Sequence, residues 1–156
     1  MPEPSRFMQQ ALQLAVDSVA AGGGPFGAVV VREGRVLATG HNRVVLDRDP
    51  TAHAEVQALR AAARALGSHV LTGCEVFTSC EPCPMCLGAL HWARVARVWF
   101  AASRHDAAAA GFDDATLYAE IGRPLAARAL PIAPLLPERG GEPFAAWRAF
   151  SARTPY

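Results

Sequence analysis

Apolar positions change period abruptly within the first forty residues. Between residues 5 and 21, Phe7, Ala11, Leu14, Ala15 and Ser18 recur at three- and four-residue steps, the spacing of one helix face. The pattern stops at Gly22-Gly23-Gly24-Pro25, a run that cannot continue a helix. In the next stretch, FGAVVVREGRVLATGHN, two runs rich in β-branched residues flank Glu33-Gly34, which predicts a hairpin. VVLDRDP reads as a loop, and a helix follows from about Thr51 to Leu66, closed by Gly67. CEVFTS (74–79) predicts a third strand, CPMCLGALHWA a helix, and ARVWFAAS (96–103) a fourth strand. DDATLYAEI predicts a short helix. LPIAPLL (130–136) is a candidate fifth strand weakened by two prolines. After PERGGEP, the segment PFAAWRAFSAR predicts a last helix with Phe144, Trp147 and Phe150 on one apolar face.

Strands alternating with helices after an initial hairpin predict an α/β fold, a mixed sheet covered by helices on both faces. The expected sheet has five strands. PERGGEP is the best hinge, but it lies too near the end to divide the chain in two. Residues 1–156 are therefore expected to form one domain with a C-terminal helical segment, about 142–156, beyond a Pro/Gly hinge.

Composition narrows the class without changing this picture. A chain of 156 residues that is 51% hydrophobic buries about two-thirds of its unfolded surface. No apolar run approaches the ~20 residues that cross a bilayer, and MPEPSRFMQQ has no basic region followed by a greasy one. The expectation is a cytoplasmic protein with four reduced cysteines. All 15 basic residues are arginine, the usual phosphate partner. They are scattered among acids at a net charge of +1, so no nucleic-acid footprint stands out.

The chemistry is concentrated in two short motifs. SCEPCPMC places Cys80, Cys83 and Cys86 three residues apart, and TAHAEVQAL places His53 and Glu55 at a helix start. Cys83 and Cys86, at i and i+3 of a helix opening, share a face, and Pro82 and Pro84 suit a helix start. The positive end of that helix favours thiolates. Two such openings aimed at each other would offer His53, Cys83 and Cys86 to one metal. Zinc suits a mixed nitrogen and sulfur set, and three protein ligands leave a fourth position for water, as in catalytic sites. Glu55 is then free to move protons. A structural zinc held by His53, Cys80, Cys83 and Cys86 is the rival, and it leaves Glu55 without a role. An iron–sulfur site would need a further thiolate. H-A-E followed about 30 residues later by P-C-x-x-C is the zinc-deaminase pattern.

On these residues the chain resembles the cytidine deaminase superfamily: Gly24-Pro25-Phe26-Gly27, Gly40-His41-Asn42, His53-Ala54-Glu55 and Pro82-Cys83-Pro84-Met85-Cys86. TSCEPCPMCLGALHWAR, AAGFDD, FAAWRAF and a terminal Tyr156 are similar to the bacterial guanine deaminase branch. The resemblance implies a three-layer α/β/α sandwich and a zinc cofactor. It implies hydrolysis of guanine to xanthine and ammonia, with His53, Cys83 and Cys86 as ligands and Glu55 as proton shuttle. It also implies that Asn42 bonds the purine, Asp114 reads its amino edge, Phe26 packs on the ring and the tail through Tyr156 closes the pocket. Asp113 and Asp114 both remain open as the base reader. Members are commonly homodimers, and Gly140-Gly141 would permit exchange of C-terminal segments. The expected partner is a small purine, with no nucleic acid and no membrane. The alternatives are a tRNA adenosine deaminase and a deaminase of guanosine or an aminotriazine. Against the first, tRNA enzymes usually carry a Gly-Ser segment and a basic last helix; this chain has GFDD and a mostly apolar one.

Overall fold

The computed structural model describes residues 3–156. They divide into two compact units, one ending at Asp114 and the other Ala115–Tyr156.

In the first unit, helix α1 (Glu3–Ala20) leads into strands β1 (Gly27–Arg32) and β2 (Arg35–His41). Glu33 and Gly34 both take positive φ, 51° and 71°, the two-residue turn that matches strand twist. Strand β3 (Cys74–Cys80) and strand β4 (Arg97–Ala102) complete a sheet of order β2-β1-β3-β4. The β1 pairings are antiparallel and β3–β4 is parallel, so the sheet is mixed.

Interior strands β1 and β3 are apolar on both sides because both faces are covered. Ala28, Val30, Cys74 and Val76 pack with Ala54, Ala58, Leu59 and Ala62 of helix α3 (Ala54–Leu66) and Leu90 of helix α4 (Pro84–Ala93). Val29, Val31 and Phe77 point the other way, against Phe7 and Ala11 of α1. The result is helix, sheet, helix. Alanine at the helix contacts lets the layers close up tightly. A Cβ on Gly27 would lie 2.3 Å from the Ala11 carbonyl, and one on Gly40 would lie 2.5 Å from the backbone of Ala54 and Ala58.

Three expectations need correction. Among the described residues the sheet has four strands, not five. Residues 130–136 are irregular, because Pro131 and Pro134 remove two ladder donors from so short a segment. The loop after β2 contains a single helical turn, α2 (Val44–Asp47), clipped by Arg43 donating to Asp47 at 2.6 and 2.7 Å. After β4 the chain enters helix α5 (Arg104–Ala109), which starts on a reciprocal Ser103–Asp106 cap. Both helices are too short to show periodicity.

The second unit holds helix α6 (Ala115–Ile121), two 3₁₀ turns and helix α7 (Glu142–Ala149). The Glu120 carboxylate accepts the amides of Ala129 and Leu130, at 2.8 and 3.4 Å, and so ties the irregular stretch back to α6. Helix α7 ends at Ala149, earlier than the pattern predicts, and Phe144, Trp147 and Phe150 lie 64%, 39% and 57% exposed. No helix of the described residues is long and apolar enough to cross a membrane.

Candidate active site

Two helix openings build the centre. His53 is the N-cap of α3 and Cys83 the N-cap of α4; both have extended backbones, with ψ of 155° and 167°. An N-cap side chain leaves the helix at its end instead of along its flank, so each projects past the first turn. Pro84, next in line, loses no hydrogen bond because first-turn amides have no partner in the helix. Cys86 lies three residues on, buried.

The ligand atoms of His53, Cys83 and Cys86 all lie within 4.8 Å of one another. Nδ1 of His53 is 3.5 Å from Sγ of Cys83 and 3.5 Å from Sγ of Cys86. Nitrogen and sulfur ligands of a tetrahedral zinc, bound at ~2.0 and ~2.3 Å, stand about 3.5 Å apart. The donor set therefore fits such an ion in both chemistry and spacing. The hydrogen bond from Cys86 draws the Cys83 thiol down to about 4, with His53 adding to the effect. The same contact, together with burial and nearby Glu55, pushes Cys86 up. His53 is raised by its bond to Cys83.

Cys80 stays outside this group. Its Sγ faces the Ser103 carbonyl at 3.7 Å, and burial pushes its thiol up to about 11. A four-ligand closed site including Cys80 does not exist among the described residues.

Glu55, in the first turn of α3, is 6% exposed. One carboxylate oxygen accepts from the Thr78 hydroxyl at 3.1 Å and the other faces Cys86 Sγ at 3.4 Å. Burial raises its pKa, as a group that exchanges protons near neutrality requires. Asn42, just beyond β2, is buried. Its carbonyl accepts from Ser18 Oγ at 3.2 Å, and its Oδ1 accepts the Val44 amide at 3.2 Å. Phe26 is half-buried, and Phe112 meets it edge-on with centroids 5.0 Å apart. Asp114 is half-buried whereas Asp113 is exposed. Burial raises Asp114, and the Cys83 charge raises it further. Tyr156 belongs to the second unit, 73% exposed, with its ring edge-on to Trp147.

Two residues here escape the sequence reading. Phe112 sits inside the quoted AAGFDD segment, but its partner Phe26 is far away in the chain. Thr78 shares a face of β3 with Cys74 and Val76; a hydroxyl in that apolar row was the available signal.

Comparison with known proteins agrees with the geometry. Residues 1–102 match the cytidine and deoxycytidylate deaminase zinc-binding region. The chain is 49% identical over 151 residues to the guanine deaminase of Bacillus subtilis, covering 96% of this chain and 97% of that one. The X-ray structure of a Bacillus subtilis guanine deaminase superposes with a TM-score of 0.95 at 48% identity, covering 97% and 98% of the two chains. A tRNA-specific adenosine deaminase of Aquifex aeolicus is 42% identical but aligns over 62% of this chain and 64% of its own length. Matched over its zinc-binding region and aligned end to end with a guanine deaminase, the chain belongs to the cytidine and deoxycytidylate deaminase family, in its guanine deaminase branch.

Proposed function

We propose that the protein hydrolyses guanine to xanthine and ammonia. One observation carries the reading above all: a buried carboxylate, Glu55, sits against a three-ligand His/Cys/Cys centre. The near full-length likeness to a guanine deaminase supports the choice of base.

In this reading His53, Cys83 and Cys86 hold zinc. When bound, the metal supplies the Lewis acidity that makes water a nucleophile near neutral pH. Water adds at guanine C2. Glu55 takes the proton the water loses and passes it to ring N3. It then takes the proton of the new C2 hydroxyl and gives it to the exocyclic nitrogen, which leaves as ammonia while the C2 carbonyl forms. Transfer by a positioned group of this kind contributes ~10² to 10⁴ in rate.

Recognition falls to residues around the centre. With Asn42 Oδ1 occupied by the Val44 amide, Nδ2 is the donor it offers to purine acceptors. Asp114 accepts from N1–H and the 2-amino group, which adenine cannot match because its N1 is an acceptor. Mismatches at a buried polar contact discriminate by ~10⁴. Its lower exposure favours Asp114 over Asp113 for this task. Phe26, braced by Phe112, packs on the ring, and Tyr156 closes the pocket. Guanosine and aminotriazines are the competitors to test beside guanine.

The working unit in this reading is a cytoplasmic homodimer with exchanged C-terminal segments. Leu130, Leu135, Phe144 and Phe150 of the second unit are 75%, 89%, 64% and 57% exposed, apolar side chains that a second copy would cover in this reading. Light scattering should give twice the chain mass. A monomer of full activity would refute the exchange.

Zinc-loaded protein mixed with guanine should produce xanthine, followed by ultraviolet absorbance, and Glu55→Gln should abolish turnover while metal remains bound. Inert guanine together with inosine formed in tRNA anticodon loops would replace this reading with the tRNA one.

A further inference from the structure

We infer that Thr78 is a positioning residue that holds the Glu55 carboxylate in its working orientation. The inference rests on the role proposed for Glu55.

The Glu55 carboxylate has two polar neighbours among its side-chain contacts: Thr78 Oγ1 at 3.1 Å and Cys86 Sγ at 3.4 Å. Cys86 belongs to the metal-ligand group, so its sulfur is committed elsewhere when a metal binds. Thr78 is the neighbour independent of that group. It is 1% exposed and sits on β3, an interior strand, with Ala28 of β1 on one side and Phe100 of β4 on the other. Strand pairing on both sides fixes its backbone, and β-branching stiffens χ1. The hydroxyl is thus presented from a rigid support.

Glu55 has the opposite character. It is a long side chain with three torsions, and confining such a side chain costs rotamer entropy. Within its own helix the carboxylate meets only the first-turn amide of Glu55 itself, so Thr78 is the contact that ties it to the sheet. A donor bond to one oxygen pins that oxygen to the sheet and sets the plane of the carboxylate, so the second oxygen faces the ligand group. Without the hydroxyl, the carboxylate would turn in a buried space where Val76 and Leu90 line the same layer. Small displacements of a proton-transfer group are expensive, since productive geometry tolerates only about 0.5 Å. Thr78 touches neither substrate nor metal in this account; it acts through Glu55.

The test uses zinc-loaded full-length protein. Thr78→Val keeps the shape and deletes the donor, while Thr78→Ser keeps the donor and deletes a methyl group. A positioning role predicts that Thr78→Val lowers kcat for guanine at least ~10-fold, with KM, zinc content and melting temperature nearly unchanged. Thr78→Ser should restore kcat to within ~3-fold of the parent. Crystals of the valine variant should show the Glu55 carboxylate turned from its parental rotamer or spread over two.

A valine variant with parental kcat, an unmoved Glu55, or a serine variant as slow as valine would each overturn the inference. So would zinc loss in step with activity. If the valine variant does not fold, the serine variant decides: retained kcat with a lowered melting temperature supports the role, and a ~10-fold loss of kcat refutes it. Glu55→Gln separates the two levels. Turnover surviving in that variant removes the shuttle reading itself, whereas an inactive Glu55→Gln beside a normal Thr78→Val removes only Thr78.

Discussion

His53 and Cys83 occupy the same station on two different helices: each is the N-cap, and Nδ1 of one lies 3.5 Å from Sγ of the other. The centre is therefore a junction of two helix openings, and metal and fold should be coupled. Zinc binding only the native state at 100 times its Kd adds about 2.7 kcal/mol. Chelation should lower the melting temperature of the parent protein reversibly, and His53→Ala or Cys83→Ser should abolish both metal retention and that response. Metal analysis beside calorimetry checks it; a chelator-insensitive melt in metal-bearing parent protein would contradict it.

The same junction depends on how near α3 can come to β2. A Cβ at Gly40 would fall 2.5 Å from both Ala54 O and Ala58 N, backbone atoms that cannot swing aside. Gly40→Ala must push back the helix that begins with His53 and Glu55. Overpacking of this kind costs ~1–3 kcal/mol. The variant should lose thermal stability and zinc affinity together, measured by melting and by competition with a chromogenic chelator.

The layers and the centre were legible because their signals are local. Helical spacing in α1, the Glu33-Gly34 turn, and the H-A-E and P-C-x-x-C pairs each lie within a dozen residues or fewer. What escaped depends on distance in the chain. Thr78 gains meaning only opposite Glu55, 23 residues away, and Phe112 only against Phe26. The fifth strand failed for another reason: apolar content at 130–136 imitates a strand, but Pro131 and Pro134 cannot donate to a ladder. Helix α5 hid inside an alanine run whose start is set by a Ser103–Asp106 cap rather than by periodicity.

Thiol reactivity offers a pH-resolved check of the assignment. Cys83 is drawn from 9.0 down to about 4 and Cys80 is pushed from 9.0 up to about 11. Lowering a thiol's pKa enlarges its thiolate fraction at a given pH, so Cys83 is thiolate above about pH 4 while Cys80 stays protonated through neutrality. In metal-free protein at pH 6, iodoacetamide should label Cys83 first and leave Cys80 unlabelled, read by peptide mass spectrometry. Added zinc should suppress the Cys83 label. Preferential labelling of Cys80 would mean that the ligand set is drawn wrongly.

Base selection should divide from metal binding at Asp114. Its carboxylate is half-buried and is raised by burial, with the Cys83 charge adding to the effect, whereas Asp113 is exposed. Asp114→Asn keeps the shape but replaces one acceptor oxygen by a donor, which would face guanine's N1–H and 2-amino donors. A mispaired buried polar contact of this kind costs ~10²-fold or more in kcat/KM. Zinc content should not change, because Asp114 lies outside the His53–Cys83–Cys86 group. Asp113→Asn should stay within ~3-fold of the parent, as expected for a solvated surface carboxylate. Steady-state rates with guanine, set against metal content, decide the matter: equal losses in both quantities for Asp114→Asn would make it a structural residue, and a larger loss from Asp113→Asn would move the reading role one residue back along the chain.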